Sequence, residues 1–83
     1  MPFEIVWSDS ALSQLEKLDH TVSRRIFERV GHLSTNPFRS VRRLAGVAAY
    51  RLRIGDYRVI LVIDQGRLRV LVLEVGHRKL VYD

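Results

Sequence analysis

Apolar and charged residues alternate one for one from Tyr50 to Ile54. On an extended chain Tyr50, Leu52 and Ile54 share one side and Arg51 and Arg53 the other, the period of a half-buried strand. Gly55-Asp56 reads as a tight turn. The chain resumes at Tyr57 and stays extended to Asp64, but Val59-Ile60-Leu61-Val62-Ile63 does not alternate. A run so rich in β-branched residues predicts a strand covered on both faces, central in its sheet. Gln65-Gly66 is a second short turn, and Arg67 to Val75 a third strand. Turns this short join antiparallel neighbours, so Ala49 to Tyr82 reads as a meander.

Upstream the apolar spacing changes. Phe3 to Trp7 is a short apolar strand. Ser8 suits an N-cap, with Asp9 in the first turn where negative charge is favoured. Ala11, Leu12, Leu15 and Leu18 then form a stripe at helical spacing. Asp19 caps a second helix from His20 to about Ser34, with Val22, Ile26, Val30 and Leu33 on one side and Phe27 beside them. Thr35-Asn36-Pro37 ends it, because the residue before proline avoids the helical region. With so short a link the two helices form an antiparallel hairpin, and the sheet is the apolar surface they have to cover. Phe38 to Ala48 reads as a loop containing Arg39, Arg42 and Arg43. The expectation is a single α+β domain over residues 1–83: an N-terminal strand and a helical hairpin packed on an antiparallel sheet with a C-terminal three-stranded meander.

Composition narrows the chemistry. The 83 residues suffice for one small core. Cysteine is absent, which excludes disulfides and thiolate metal sites. His20, His32 and His77 are scattered, so neither a metal nor a cofactor is expected. His20 and His32 read as helix-surface or helix-end residues. The start MPFEIVWSDS lacks the basic-then-apolar order of a secretory leader. No apolar run approaches the roughly 20 residues of a membrane span. A cytoplasmic protein without membrane contact is the expectation.

The net charge of +5 is unevenly spread: residues 1–19 carry −3, residues 20–58 carry +7 and residues 59–83 carry +1. Twelve of the fourteen cations are arginine. Clustered arginine fits a polyanion, either nucleic acid or an acidic protein segment. Arg51, Arg53 and Arg58 lie near one end of the meander, and Arg78 follows the strand that returns there. The planar guanidinium fork binds phosphate oxygens bidentately. Two readings stay open: a phosphate-binding hollow, which Arg39, Arg42 and Arg43 would extend, or a solvated basic face. His77 is the side chain near the cluster whose ordinary pKa suits proton transfer near neutrality; it is either a base or a turn residue pointing away. Glu74 serves as a base only if it faces the cluster.

Leu44-Ala45-Gly46, the run Tyr50-Arg51-Leu52-Arg53-Ile54-Gly55-Asp56-Tyr57-Arg58-Val59-Ile60, and Val75-Gly76-His77-Arg78 followed by Val81-Tyr82 form a pattern. With the element order, it resembles the RelE/ParE superfamily of bacterial and archaeal toxin–antitoxin toxins. The resemblance implies the RelE fold, similar to microbial ribonucleases. RelE-like members are ribosome-dependent mRNA endonucleases that cut in the A site and inhibit translation; ParE-like members poison DNA gyrase without catalysis. Arg51 and Arg53 match the paired basic residues of the first meander strand, Arg58 the arginine opening the next, Arg78 the arginine after the last, and Tyr82 the C-terminal tyrosine. The resemblance thus implies the RelE side, with the gyrase inhibitor as the alternative. It also implies a RelB-like cognate antitoxin, the ribosome and mRNA as partners, operator DNA bound only through the antitoxin complex, and no metal. The family commonly has lysine where Arg51 and Arg53 stand. Arginine stays protonated in proteins, so proton transfer falls to other groups.

Overall fold

β1 (Glu4–Trp7) leads into α1 (Asp9–Glu16) and α2 (His20–Gly31), and α2 tightens into a 3-10 turn over His32–Ser34. β2 (Val41–Arg43), β3 (Tyr50–Ile54), β4 (Tyr57–Asp64) and β5 (Arg69–His77) follow. The computed structural model describes residues 2–77. Both helices begin where the capping residues stand. Ser8 is extended and its Oγ accepts from the Ala11 N–H at 3.0 Å. The Asp19 carboxylate accepts from the Thr21 N–H at 3.1 Å. α1 stops at Glu16, before Leu18, as the Lys17 and Leu18 N–H groups turn back to the carbonyls of Gln14 and Leu15.

The sheet runs β1-β5-β4-β3-β2, which puts β4 in the centre. The meander pairs antiparallel, Leu52 opposite Val59 and Val59 opposite Val75. Two features depart from the expected antiparallel sheet. β1 pairs in parallel with β5, Ile5 opposite Val70. The helices carry the chain from β1 across to the far edge, so β1 lies along the last strand instead of a hairpin neighbour. Within the expected loop, Val41–Arg43 forms β2 and pairs with β3, Arg42 opposite Arg51. Its return is closed by the Leu44 N–H donating to the Ala49 carbonyl at 2.9 Å. An otherwise open β3 edge offers backbone groups, and β2 pairs with the Tyr50 to Leu52 part of it.

One face of the sheet meets the helices. Ala11, Leu15, Ile26, Val30 and Leu33 pack there against Leu52, Ile54, Val59, Leu61, Val70, Val72 and Val75. A β-bulge interrupts β5: Ile60 opposes Glu74, Leu61 opposes Val72, and Leu73 is the extra residue. Helix α1 holds this bulge. The Ser8 N–H donates to the Val72 carbonyl at 2.9 Å, and Ser8 Oγ donates to the Leu73 carbonyl at 3.0 Å. The Val75 N–H donates to Gln14 Oε1 at 2.6 Å. The extra residue reverses the alternation. Val72 and Val75 both point to the helices, which turns Glu74 and Gly76 to the other face. The turn before β5 is also longer than expected. Asp64 Oδ1 accepts from the Arg67 N–H at 3.1 Å, and Leu68 is left-handed at φ 54°.

Candidate nucleic-acid interface

The face turned away from the helices carries the arginines. Directly paired residues share a face, so Arg42 stands with Arg51, and Arg53 with Arg58. Arg51 and Arg53, two apart on β3, link the pairs. Four guanidinium side chains therefore run in a row across β2, β3 and β4. Their depth is graded: Arg42 and Arg53 are exposed, Arg51 is half-buried, and Arg58 is 9% exposed. Ser40, Arg42, Arg51 and Arg53 wall a hollow of about 320 Å³. Such a row attracts an anion, and screening is weakest beside Arg58, where solvent is nearly excluded.

The opposite end of the same face is mixed in charge. Glu4, Arg69 and Asp64 stand side by side across β1, β5 and β4. Arg69 Nε lies 3.3 Å from Glu4 Oε1. Among the described residues of this face, the arginines without a carboxylate directly opposite gather at the β2–β4 end.

The bulge decides which proton-transfer candidates reach the row. Glu74 opposes Ile60 and Gly76 opposes Arg58, so the Glu74 carboxylate shares the arginine face. His77 opposes Tyr57 on the helix face, and the two rings meet edge-on with centroids 5.5 Å apart. Counting by twos from the buried Val72 puts His77 on the open face; the extra residue Leu73 moves it to the other side. The three arginines read as one basic loop also separate. Arg42 joins the row, Arg43 opposes the core-facing Tyr50, and Arg39 lines a different hollow with Arg29 and His32. Arg78 and Tyr82 lie outside the described residues. Among the described residues, no three His, Cys, Asp or Glu side chains gather as a metal site, and no helix is long and apolar enough to cross a membrane.

The model of the ParE toxin of the type II toxin–antitoxin system parDE matches residues 5–82. This chain belongs to the RelE/ParE superfamily of toxins. Toxin RelE of Mycobacterium tuberculosis is 30% identical over 84 residues, covering 98% of this chain and 87% of that protein. The toxin of the toxin–antitoxin complex RelBE2 from the same organism superposes with a TM-score of 0.85 at 28% identity, over 94% of this chain and 100% of the other. The archaeal RelE–RelB complex from Pyrococcus horikoshii gives 0.84 at 25% identity, over 98% and 100%. The α+β architecture of two helices on a five-stranded mixed sheet is that of RelE structures. The protein is thus a RelE-like toxin of a toxin–antitoxin module.

Three residues of this toxin join the picture only with the fold in hand. Ser40 lines the arginine hollow from the position just before β2; the signal in the chain is the β-branched Val41 beside Arg42, which marks an extended segment. Gln14 and Ser8 present Glu74 by holding the bulge. Nothing in the local sequence of β5 announces them, since their partners lie 61 and 65 residues away.

Proposed function

We propose that this toxin is a metal-independent, ribosome-dependent endoribonuclease that cuts mRNA in the A site, and that it works in the cytoplasm. The row Arg42-Arg51-Arg53-Arg58 on one open face, with Arg58 sunk to 9% exposure, carries this reading. RNA supplies its own nucleophile. The 2′-oxygen forms a bond to the adjacent phosphorus, the bond to the 5′-oxygen breaks, and the products are a 2′,3′-cyclic phosphate and a 5′-hydroxyl. The protein has to align the strand, stabilise charge on the phosphoryl oxygens and move two protons. Arg58 and Arg53 stabilise the phosphoryl charge, and Arg51 with Arg42 holds the neighbouring backbone. Arg39 and Arg43 bind RNA outside the reacting linkage.

By the family resemblance, Arg78 adds a further charge, and Tyr82 stacks on a base or orients the 2′-hydroxyl. Of the carboxylates on the face of Arg58, Glu74 stands nearest to it in the sheet register, opposite Ile60, and we assign it the proton from the 2′-hydroxyl. His77, across the sheet, takes that role only if its ring leaves Tyr57. The pH profiles of Glu74→Gln and His77→Ala divide the two, because loss of the base removes a titrating limb. RelE relatives form complexes with RelB antitoxins. We assign this toxin a RelB-like antitoxin whose acidic groups complement the arginine face, with operator DNA contacted through that complex.

The matching family model is that of a ParE toxin, and this favours a second reading, a non-enzymatic inhibitor of DNA gyrase. An mRNA carrying one 2′-deoxynucleotide at the cut position separates the two. The nuclease cuts the all-ribose message on programmed ribosomes and spares the substituted one. Two intact messages beside a gyrase that no longer supercoils DNA support the second reading.

A further inference from the structure

We propose that the hollow walled by Arg29, His32, Asn36, Arg39 and Ser40 is a second phosphodiester subsite, holding the RNA strand that flanks the one on the arginine face. The identity of the strand rests on the nuclease reading; the anion chemistry of the hollow does not. Its volume is about 400 Å³, and its floor is Leu33 and Leu52, 2% and 1% exposed. Two arginines, a histidine, an asparagine and the hydroxyl residues Thr35 and Ser40 line the hollow around that floor. Among the described residues no carboxylate lines it. A wall of donors and cations over a dry floor suits a phosphate, whose oxygens accept from every such group.

The fold explains why these residues meet. Arg29 and His32 are three apart where α2 tightens into its 3-10 turn, a spacing that puts both on one side. Thr35 Oγ1 donates to the His32 carbonyl at 3.3 Å and closes that end. The Arg39 N–H then donates to the Asn36 carbonyl at 3.4 Å, a turn that folds Arg39 back beside the helix end. Ser40 comes next and leads into β2.

Ser40 links the two hollows. It lines this hollow and also the hollow of Arg42, Arg51 and Arg53. The first opens on the helix side of the sheet, since Leu52 is a core-facing residue; the second opens on the arginine face. β2 between them is the sheet's edge and three residues long. A flexible polymer with a charge on every unit can round that edge and place successive phosphates in both. An acidic protein segment has the charge without the tetrahedral oxygens, and the hollow offers it no exposed apolar seat.

The test measures binding of a fluorescent, uncleavable 2′-O-methyl oligonucleotide across a salt series, with a polyglutamate peptide of equal charge as the comparison. Wild-type toxin, Arg29→Ala/Arg39→Ala and Arg29→Lys/Arg39→Lys are matched by melting temperature. The alanine pair should bind the oligonucleotide about tenfold more weakly, and its log–log salt slope should be shallower by about 1.4, two phosphate contacts on a single strand. The lysine pair should recover most of the slope. An unchanged slope overturns the subsite. A loss shared equally by the peptide, or confined to it, also overturns it, marking a general basic patch or a protein contact. Cleavage on programmed ribosomes is read separately. Wild-type toxin that leaves mRNA intact removes the nuclease reading, while the slope change still reports the anion site.

Discussion

On β4, Val59 and Leu61 point at the helices and are wholly buried, whereas Arg58 and Ile60 point the other way and are 9% and 8% exposed. Neighbouring residues of one strand are buried to nearly the same depth by different means. Val59 and Leu61 are covered by a second layer, the side chains of α1 and α2. Among the described residues no helix lies over Arg58 and Ile60; their neighbours in the sheet on that face are Arg51, Arg53, Glu74 and Gly76. The helix face therefore holds the fold together. The open face keeps a charge at low exposure next to the hollow that Arg51 and Arg53 line. A buried arginine is a poor source of stability but a strong field for an incoming phosphate.

The contrast is broken most forcefully from the helix side. Leu61→Ala opens a cavity in a close-packed layer and should cost about 2–5 kcal/mol in urea unfolding, a large share of a small domain's stability. Cleavage per folded molecule should be preserved. On the open face Arg53→Ala should move unfolding by less than about 0.5 kcal/mol. It should lower cleavage on programmed ribosomes about 10²-fold, the usual cost of one donor to a developing oxyanion. If the two variants fail in the same assay, the division of labour between the faces is wrong.

Smaller changes sharpen the comparison at its boundary. Gly55 turns β3 into β4 at φ 59°, and a methyl added there would sit 2.9 Å from Arg25 Nη2. The Arg25 side chain can shift, so the cost comes from the left-handed backbone: Gly55→Ala should lose about 1–2 kcal/mol. Gln14→Ala removes the side-chain acceptor of the Val75 N–H and should lose about 1 kcal/mol. Hydrogen exchange should rise first at Val75. Because the bulge turns Glu74 to the open face, cleavage in this variant should fall further than its stability loss explains.

The alternation of Tyr50 to Ile54 was enough to place Arg51 and Arg53 on one face, and the Gly55-Asp56 turn to bring Arg58 beside them. The apolar run of β4 marked a central strand, though among the described residues helices cover only its Val59 and Leu61 face. Other features depend on distant partners. Val41–Arg43 becomes a strand because β3 has a vacant edge. β1 runs parallel because two helices carry the chain to the far side of the sheet. The bulge at Leu73 depends on Ser8 and Gln14, so the face of every later residue was illegible from β5 alone. That one extra residue carries His77 to the helix side and Glu74 to the arginine side. His32 does stand at a helix end, but its nearness to Arg39 was not legible, because the turn that brings Arg39 beside it is made by backbone bonds.

The most direct measurement follows end-labelled mRNA on programmed ribosomes with wild-type toxin and with Arg58→Ala, each checked for folding by its melting temperature. Wild-type toxin should cut in the A site, and the variant should lose at least about 10²-fold of that cutting. Uncut mRNA with folded wild-type toxin, or equal cutting by both proteins, contradicts the nuclease role of the arginine face.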